Sequence, residues 1–224
     1  MTDLTVACVL RNGGIYTPEW VEKLERQCRK NISEPFRFVC LTDMEHAEVE
    51  GIDWIDLPET WGGWWSKLCL FHPDVGLTGR TLYLDLDVLV VGDPIPQIVW
   101  WRFLMVEDFY QPGVANSSVM AWSGDYSFLW LALSQEGLPT IRRQYDWPDG
   151  TLRRGRFGGD QAFVEDTLKR FDSKVSWIPG VASYKVDCAL GCVPAPDWAS
   201  VIAFHGKPKP NTCGGWAQKM WEES

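Results

Sequence analysis

An α/β fold, with a central sheet flanked by helices, is predicted by three features of this sequence. Short apolar, β-branched runs alternate with stretches of helical periodicity, and the first two such runs are joined by an amphipathic helix. In addition, 46% of the 224 residues are hydrophobic, enough to bury a sizeable core.

Residues 5–10 (TVACVL) end at Asn12-Gly13-Gly14, the composition of a buried strand and its turn. Thr17 and Pro18 then supply an N-cap and a first-turn proline, with Glu19 on the positive end of the helix dipole. Trp20, Val21, Leu24 and Cys28 recur at helical spacing, and residues 36–41 (FRFVCL) form the next strand. Strand, helix and strand at this spacing begin a parallel sheet. Residues 52–57 read as a weaker strand, 64–71 (WWSKLCLF) as a short helix, and 81–84 as a strand running into acidic residues. Further strands are expected at 102–106 and 118–122, followed by a helix over 123–136 that Gly137 stops. Residues 142–158 (RRQYDWPDGTLRRGRFG) are polar, Arg-rich and punctuated by Gly and Pro, and read as a long loop. A helix over 160–171 and a strand at 201–204 lead to His205-Gly206-Lys207-Pro208. No repeat or linker is visible, so residues 1–224 are expected to form a single domain.

The charge balance, 30 Asp+Glu against 21 Lys+Arg, gives a formal charge of −9. That argues against a general affinity for nucleic acid or anionic membrane. Neither a secretory leader nor a transmembrane segment is apparent, and the seven cysteines are odd in number and dispersed, so a reduced, cytoplasmic setting is expected. Cys188 and Cys192 are a weak metal or disulfide pair, with plain packing the simpler account. The 14 tryptophans, five of them at 61, 64, 65, 100 and 101, suit core and cleft walls and also stacking on sugar rings.

The stretch TLYLDLDVLVV raises a sharper question. Asp85 and Asp87 lie in an apolar run, and a buried carboxylate is costly unless something compensates it. On a strand their side chains share one face, where two neighbouring charges repel. A divalent cation would relieve that repulsion, and hard oxygen ligands suit magnesium or manganese completed by phosphates. The same pair can also be solvated or cap a turn. Phosphatases of the haloacid-dehalogenase type use such a pair as well, with the first Asp as nucleophile. Their motif usually opens the domain and continues with Thr or Val where Leu89 stands here.

YLDLDVLV, preceded by GGWWSKLCLF and followed by VANSSVMAW, GGDQAFV and FHGKPKP, resembles the retaining GT-A glycosyltransferases related to glycogenin and the bacterial lipooligosaccharide galactosyltransferases. The resemblance runs from the first strand to Lys209. It implies a GT-A (Rossmann-like) domain with a mixed central sheet, a nucleotide-sugar donor (a UDP-sugar in first place), Mn2+ with Mg2+ as the alternative, and transfer with retention. It also implies roles. Asp85, Asp87 and His205 would hold the metal, an imidazole favouring manganese. Arg11, Asn12, Lys67, Asp85, Asn116 and Lys207 would bind the donor, with Lys209 the alternative to Lys207, because the usual H-x-x-G-x-x-K-P-W pattern is compressed here. Thr42 and Asp43 are weaker contacts for the base. Asp160 and Gln161 would act at the transferred sugar, Asp160 also serving as N-cap of the helix it opens. Local readings stand beside these: a turn Asn at 116, a solvated Lys at 67, a locally bonded His at 205. No second carboxylate is evident for a double displacement, so same-face attack is expected, the departing phosphate oxygen taking the proton of the acceptor. The acceptor is open: a glycan, a lipid-linked sugar or a protein. The arginines at 142, 143, 153, 154 and 156 fit a lid, a dock for an anionic acceptor, or a solvated loop. Two other functions stay open, the phosphatase with Asp85 as nucleophile and a non-catalytic sugar-binding module.

Overall fold

A computed structural model describes residues 3–146 and 158–224. The strands are β1 (Leu4–Leu10), β2 (Arg37–Thr42), β3 (Ile52–Asp56), β4 (Arg80–Leu84), β5 (Val88–Val90), β6 (Phe103–Glu107), β7 (Ala115–Trp122), β8 (Val175–Trp177), β9 (Val181–Ser183) and β10 (Val201–Ala203). The α-helices are α1 (Pro18–Asn31), α2 (Phe128–Glu136), α3 (Leu138–Tyr145), α4 (Asp160–Arg170) and α5 (Gly215–Glu222). Seven strands form a mixed sheet in the order β3-β2-β1-β4-β7-β6-β8, parallel from β3 to β4 and antiparallel on both sides of β7.

Side-chain alternation along the strands builds a core on each face of this sheet. From β1, Leu4, Val6, Cys8 and Leu10 join Trp20, Val21 and Leu24 of α1 on one face. Ala7 and Val39 face the other way, toward Leu68 and Leu70 of a 3-10 helix (Gly63–Phe71), Leu129 of α2 and Phe163 of α4. Central strands covered on both faces are near-continuous apolar runs, which is why β1 and β2 are legible in sequence. A smaller sheet, β5-β10-β9, lies beside the first and packs against α5 through Leu89, Ile202 and Ala217.

Several expectations are corrected. The segment 142–145 is helical, belonging to α3 rather than to a loop, because Ile141 and Tyr145 pack into the core. Of that loop, residues 147–157, with Arg153, Arg154 and Arg156, lie outside the described residues. The helix expected from 123 begins at Phe128, and residues 64–71 coil as a 3-10 helix. Thr17 flanks α1 without a side-chain capping bond, so Pro18 and Glu19 in the first turn mark that start. All seven cysteines are free. Among the described residues no helix is long and apolar enough to cross a membrane.

Candidate active site

The acidic pair does not sit inside a strand. β4 ends at Leu84, and Asp85 keeps one more sheet bond, its N–H donating to Ser118 O at 2.9 Å. The chain then turns, Val88 N–H donating to Asp85 O at 3.3 Å, and re-enters as β5. A turn frees both carboxylates from strict alternation and places them at the carboxyl end of a central strand, where ligands of open α/β sheets bind. They line a cavity of about 560 Å3 together with Arg11, Asn12, Tyr16, Trp64, Lys67, Tyr83, Asn116, Ser117, Asp160, Gln161, His205 and Lys209. That volume lies within the usual small-molecule range.

Each acid has its own ammonium and its own phenol. The Lys67 ammonium reaches both oxygens of Asp85, at 2.8 and 3.0 Å, and Tyr83 O–H donates to Asp85 Oδ1 at 2.5 Å. Asp87 is ion-paired with Lys209 and accepts a hydrogen bond from Tyr16. Burial raises the pKa of Asp87, with the charge of Asp85 adding to it; Lys209 and Tyr16 act the other way. Lys67 also donates to Ser117 Oγ at 3.1 Å and lies 3.9 Å from Asp160 Oδ2. Burial lowers the affinity of Lys67 for its proton, but Asp85 and Asp160 more than reverse that, and the net shift is upward. Lys67 is therefore charged.

Asp160 is buried, which raises its pKa against the lowering influences of Lys67 and the Ser117 hydroxyl. Among the described residues its Oδ2 accepts no hydrogen bond. It is not an N-cap, since that place belongs to Gly159 and Asp160 is the first residue of α4. Gly159 is required there. Its φ is +86°, and a Cβ would lie 3.0 Å from the Trp64 indole nitrogen. Trp64 is about half exposed at the mouth of the cavity, whereas Trp65 is buried and donates to Asp146 Oδ1 at 2.8 Å.

A β-bulge supplies the opposite wall. Met105 of β6 pairs with Met120, but Val106 pairs with Asn116, so residues 117–119 leave that ladder. The displaced segment turns Ser117 toward Lys67. Asn116 lines the cavity while its Oδ1 accepts the Ser118 N–H at 2.9 Å, the turn role of an asparagine. Arg11 also lines the cavity, but four of its five N–H donors go to Asp43 and to the carbonyls of Asn12, Thr60 and Trp61. Asp43 is held by the same pairing and by Asn12 N–H at 2.7 Å, and Thr42 is buried, its hydroxyl accepting from Met44 N–H.

Antiparallel pairing of β5 with β10 sets Val88 opposite Ala203, which brings the acidic turn beside Phe204 and His205. Burial and the Lys185 cation lower the His205 pKa, favouring neutral imidazole. Its Nε2 is hydrogen-bonded to Ser183 Oγ at 2.6 Å, and its ring stacks on Phe109 with centroids 5.0 Å apart. Two adjacent carboxylates suit a hard divalent cation. The His205 Nε2 is held by Ser183, and no group of three potential ligands occurs among the described residues. Lys207 is exposed and stands off the cavity wall; Lys209 is the lysine that reaches it. Tyr83, two residues before Asp85 on the same face, was available to alternation. Tyr16 and Ser117 carry no comparable signal, since a turn and a bulge place them.

No protein-family model matches this sequence, and no curated protein matches it in sequence. Solved structures do share its fold. Glycosyltransferase GlyE of Streptococcus pneumoniae TIGR4 superposes with a TM-score of 0.64 at 14% identity, over 97% of this chain and 60% of that one. The chain thus spans about three fifths of the GlyE chain. An active-site mutant of LgtC gives 0.61 at 14% identity, over 97% of this chain and 94% of that one. The galactosyltransferase LgtC in complex with donor and acceptor sugar analogs gives 0.58 at 15% identity with the same coverage. The fold is therefore LgtC-like: a mixed central sheet flanked by helices.

Two outcomes follow from this geometry. Lys67→Met strands Asp85 and Asp160, and unfolding in urea at pH 7.5 is expected to show a loss of about 3–5 kcal/mol. Without the ammonium the Asp160 carboxyl, already raised by burial, rises further, so the deficit shrinks as pH falls through its titration; a deficit that stays constant down the acid range would show that charge pairing is not the cause. Gly159→Ala is expected to cost about 1–3 kcal/mol through its positive φ and the Trp64 contact, measured by the same method.

Proposed function

We propose that the chain is a glycosyltransferase that moves a sugar from a nucleoside diphosphate donor, a UDP-sugar, to a hydroxyl acceptor with retention of configuration. The observation that carries this reading is the single cavity that collects Asp85 and Asp87 at the end of β4 with Lys67, Lys209 and the unsatisfied Asp160 Oδ2. Burial of an acceptor atom without a donor is unfavourable. A sugar hydroxyl is the kind of donor it lacks, so Asp160, with Gln161 beside it, is assigned to the transferred sugar. Asn116 has its amide NH2 left for the same ligand. Arg11, held by Asp43 and three backbone carbonyls, and the turn at Asn12 are assigned to the base and ribose.

Asp85 and Asp87 would hold Mn2+ or Mg2+, with His205, on giving up its bond to Ser183, as the nitrogen ligand that the resemblance supplies. Such a cation offsets charge developing on a departing diphosphate. Lys67 and Lys209 add positive charge on the same side, favouring the charged leaving group over the intact donor. With no further carboxylate assigned as nucleophile, the acceptor attacks on the face the diphosphate leaves, and a phosphate oxygen takes its proton. The LgtC-like fold supports this reading over an aspartyl phosphatase. The non-catalytic alternative is separated from it by turnover.

Calorimetry with UDP-, GDP- and dTDP-sugars, with and without manganese, tests the proposal. Binding confined to the UDP class, strengthened by metal and weakened at least tenfold in Asp87→Ala, is expected. Asp87→Ala binding the donor as tightly as wild type would remove the metal role, and no binding by any nucleotide sugar would remove the donor. The anomeric configuration of the product, read by NMR, tests retention.

A further inference from the structure

A second cavity, of about 400 Å3, shares a wall with the first. Phe109 lines the second and stacks on His205, which lines the first, so one aromatic pair separates them. The floor and sides come from the turn after β6 and the connection from β8 to β9. Trp177 and Trp198 stand on it, 38% and 55% exposed. Among the described residues neither indole stacks on another ring or donates a hydrogen bond.

Three carboxylates share the lining, and each spends an oxygen on its own backbone turn. Asp108 Oδ1 accepts the N–H groups of Tyr110 and Gln111 at 3.0 and 3.1 Å. Glu107 Oε1 accepts from Gly113 N–H at 2.8 Å, and Asp187 Oδ2 from Ser183 N–H at 2.7 Å. The side chains are thereby fixed, and the second oxygen of each has no hydrogen-bond partner among the described residues. Among the described residues no lysine or arginine lines the cavity.

Free indole faces take the C–H face of a pyranose ring, and oriented carboxylate oxygens accept from its hydroxyls. The same acids repel phosphate, sulfate and uronate. An organic cation would satisfy these walls too, but a site one stack away from a sugar-transfer cavity continues that cavity's own ligand. We infer that this cavity holds a neutral sugar ring of the acceptor, further along the chain than the ring that receives the transferred sugar. The inference rests on the glycosyltransferase reading and narrows it. The acceptor is then a neutral oligosaccharide, or a molecule carrying one, and the enzyme extends chains instead of glycosylating a bare monosaccharide or protein hydroxyl.

Intrinsic fluorescence and calorimetry of the full chain, titrated with lactose, maltotetraose, cellotetraose, mannotetraose and chitotetraose and with their monosaccharides, test this. Choline and 3′-sialyllactose serve as cationic and anionic comparators. At least one neutral oligosaccharide is expected to bind tenfold or more tightly than its monosaccharide. Trp177→Ala and Trp198→Ala should each abolish most of that gain, while nucleotide-sugar affinity changes less than twofold and Trp198→Phe restores part of it. The inference is overturned if no oligosaccharide outperforms its monosaccharide, if both alanine variants bind like wild type, or if choline binds and the glycans do not. Failure of the donor reading would look different: oligosaccharide binding that depends on both tryptophans, in a protein that binds no nucleotide sugar.

Discussion

Charge compensation at the end of β4 is the constraint on which the site depends. Three carboxylates, Asp85, Asp87 and Asp160, converge in a partly enclosed cavity, and two ammonium groups, of Lys67 and Lys209, stand among them. Neither charge would be tolerated in such surroundings without the other. The pairing also sets the polarity of the site. On the proposed reading, a diphosphate entering it would meet cations already in place, oriented by folding rather than at the moment of reaction.

The fold delivers these groups from distant parts of the chain. Lys67 comes from a 3-10 helix on one face of the main sheet, Asp160 from the start of α4, and Lys209 from the segment after β10. The β7 bulge contributes Ser117, which links Lys67 to Asp160. Each supplier is buried on its other side, so the polar groups are held by the packing of Leu68, Phe163 and Phe204 beneath them. Such backing keeps a first layer of polar residues in register.

Much of this was legible in the sequence where burial leaves a periodic trace. The runs of β1, β2 and β4, the helical spacing of α1 and the acids that interrupt an apolar stretch all carry their own signal. The family resemblance added Asp160, Gln161, Asn116 and His205, each of which lines the cavity. What escaped depends on tertiary geometry. β5 and β9 have three residues each, too short for alternation to declare them, and only their pairing with β10, itself expected at 201–204, makes a sheet. The acids were expected on a strand and lie in a turn. Lys209 rather than Lys207 meets Asp87, a choice the compressed motif could not make, and Tyr16 arrives from a connecting turn without periodic trace.

The small sheet has a bearing on how this protein can change over time. Three rungs between β5 and β10 are the mechanical link between the acidic turn and the C-terminal histidine and lysine. Lengthening the connections between those strands costs little, growing only with the logarithm of loop size. Sliding the ladder by a single rung, by contrast, would turn Val88 and Ala203 to opposite faces and carry the two halves of the site apart. Tolerance to insertion and intolerance to slippage thus coexist within one chain segment, and descendants of this sequence are free to lengthen its surface turns so long as that short hinge of paired backbone stays in step.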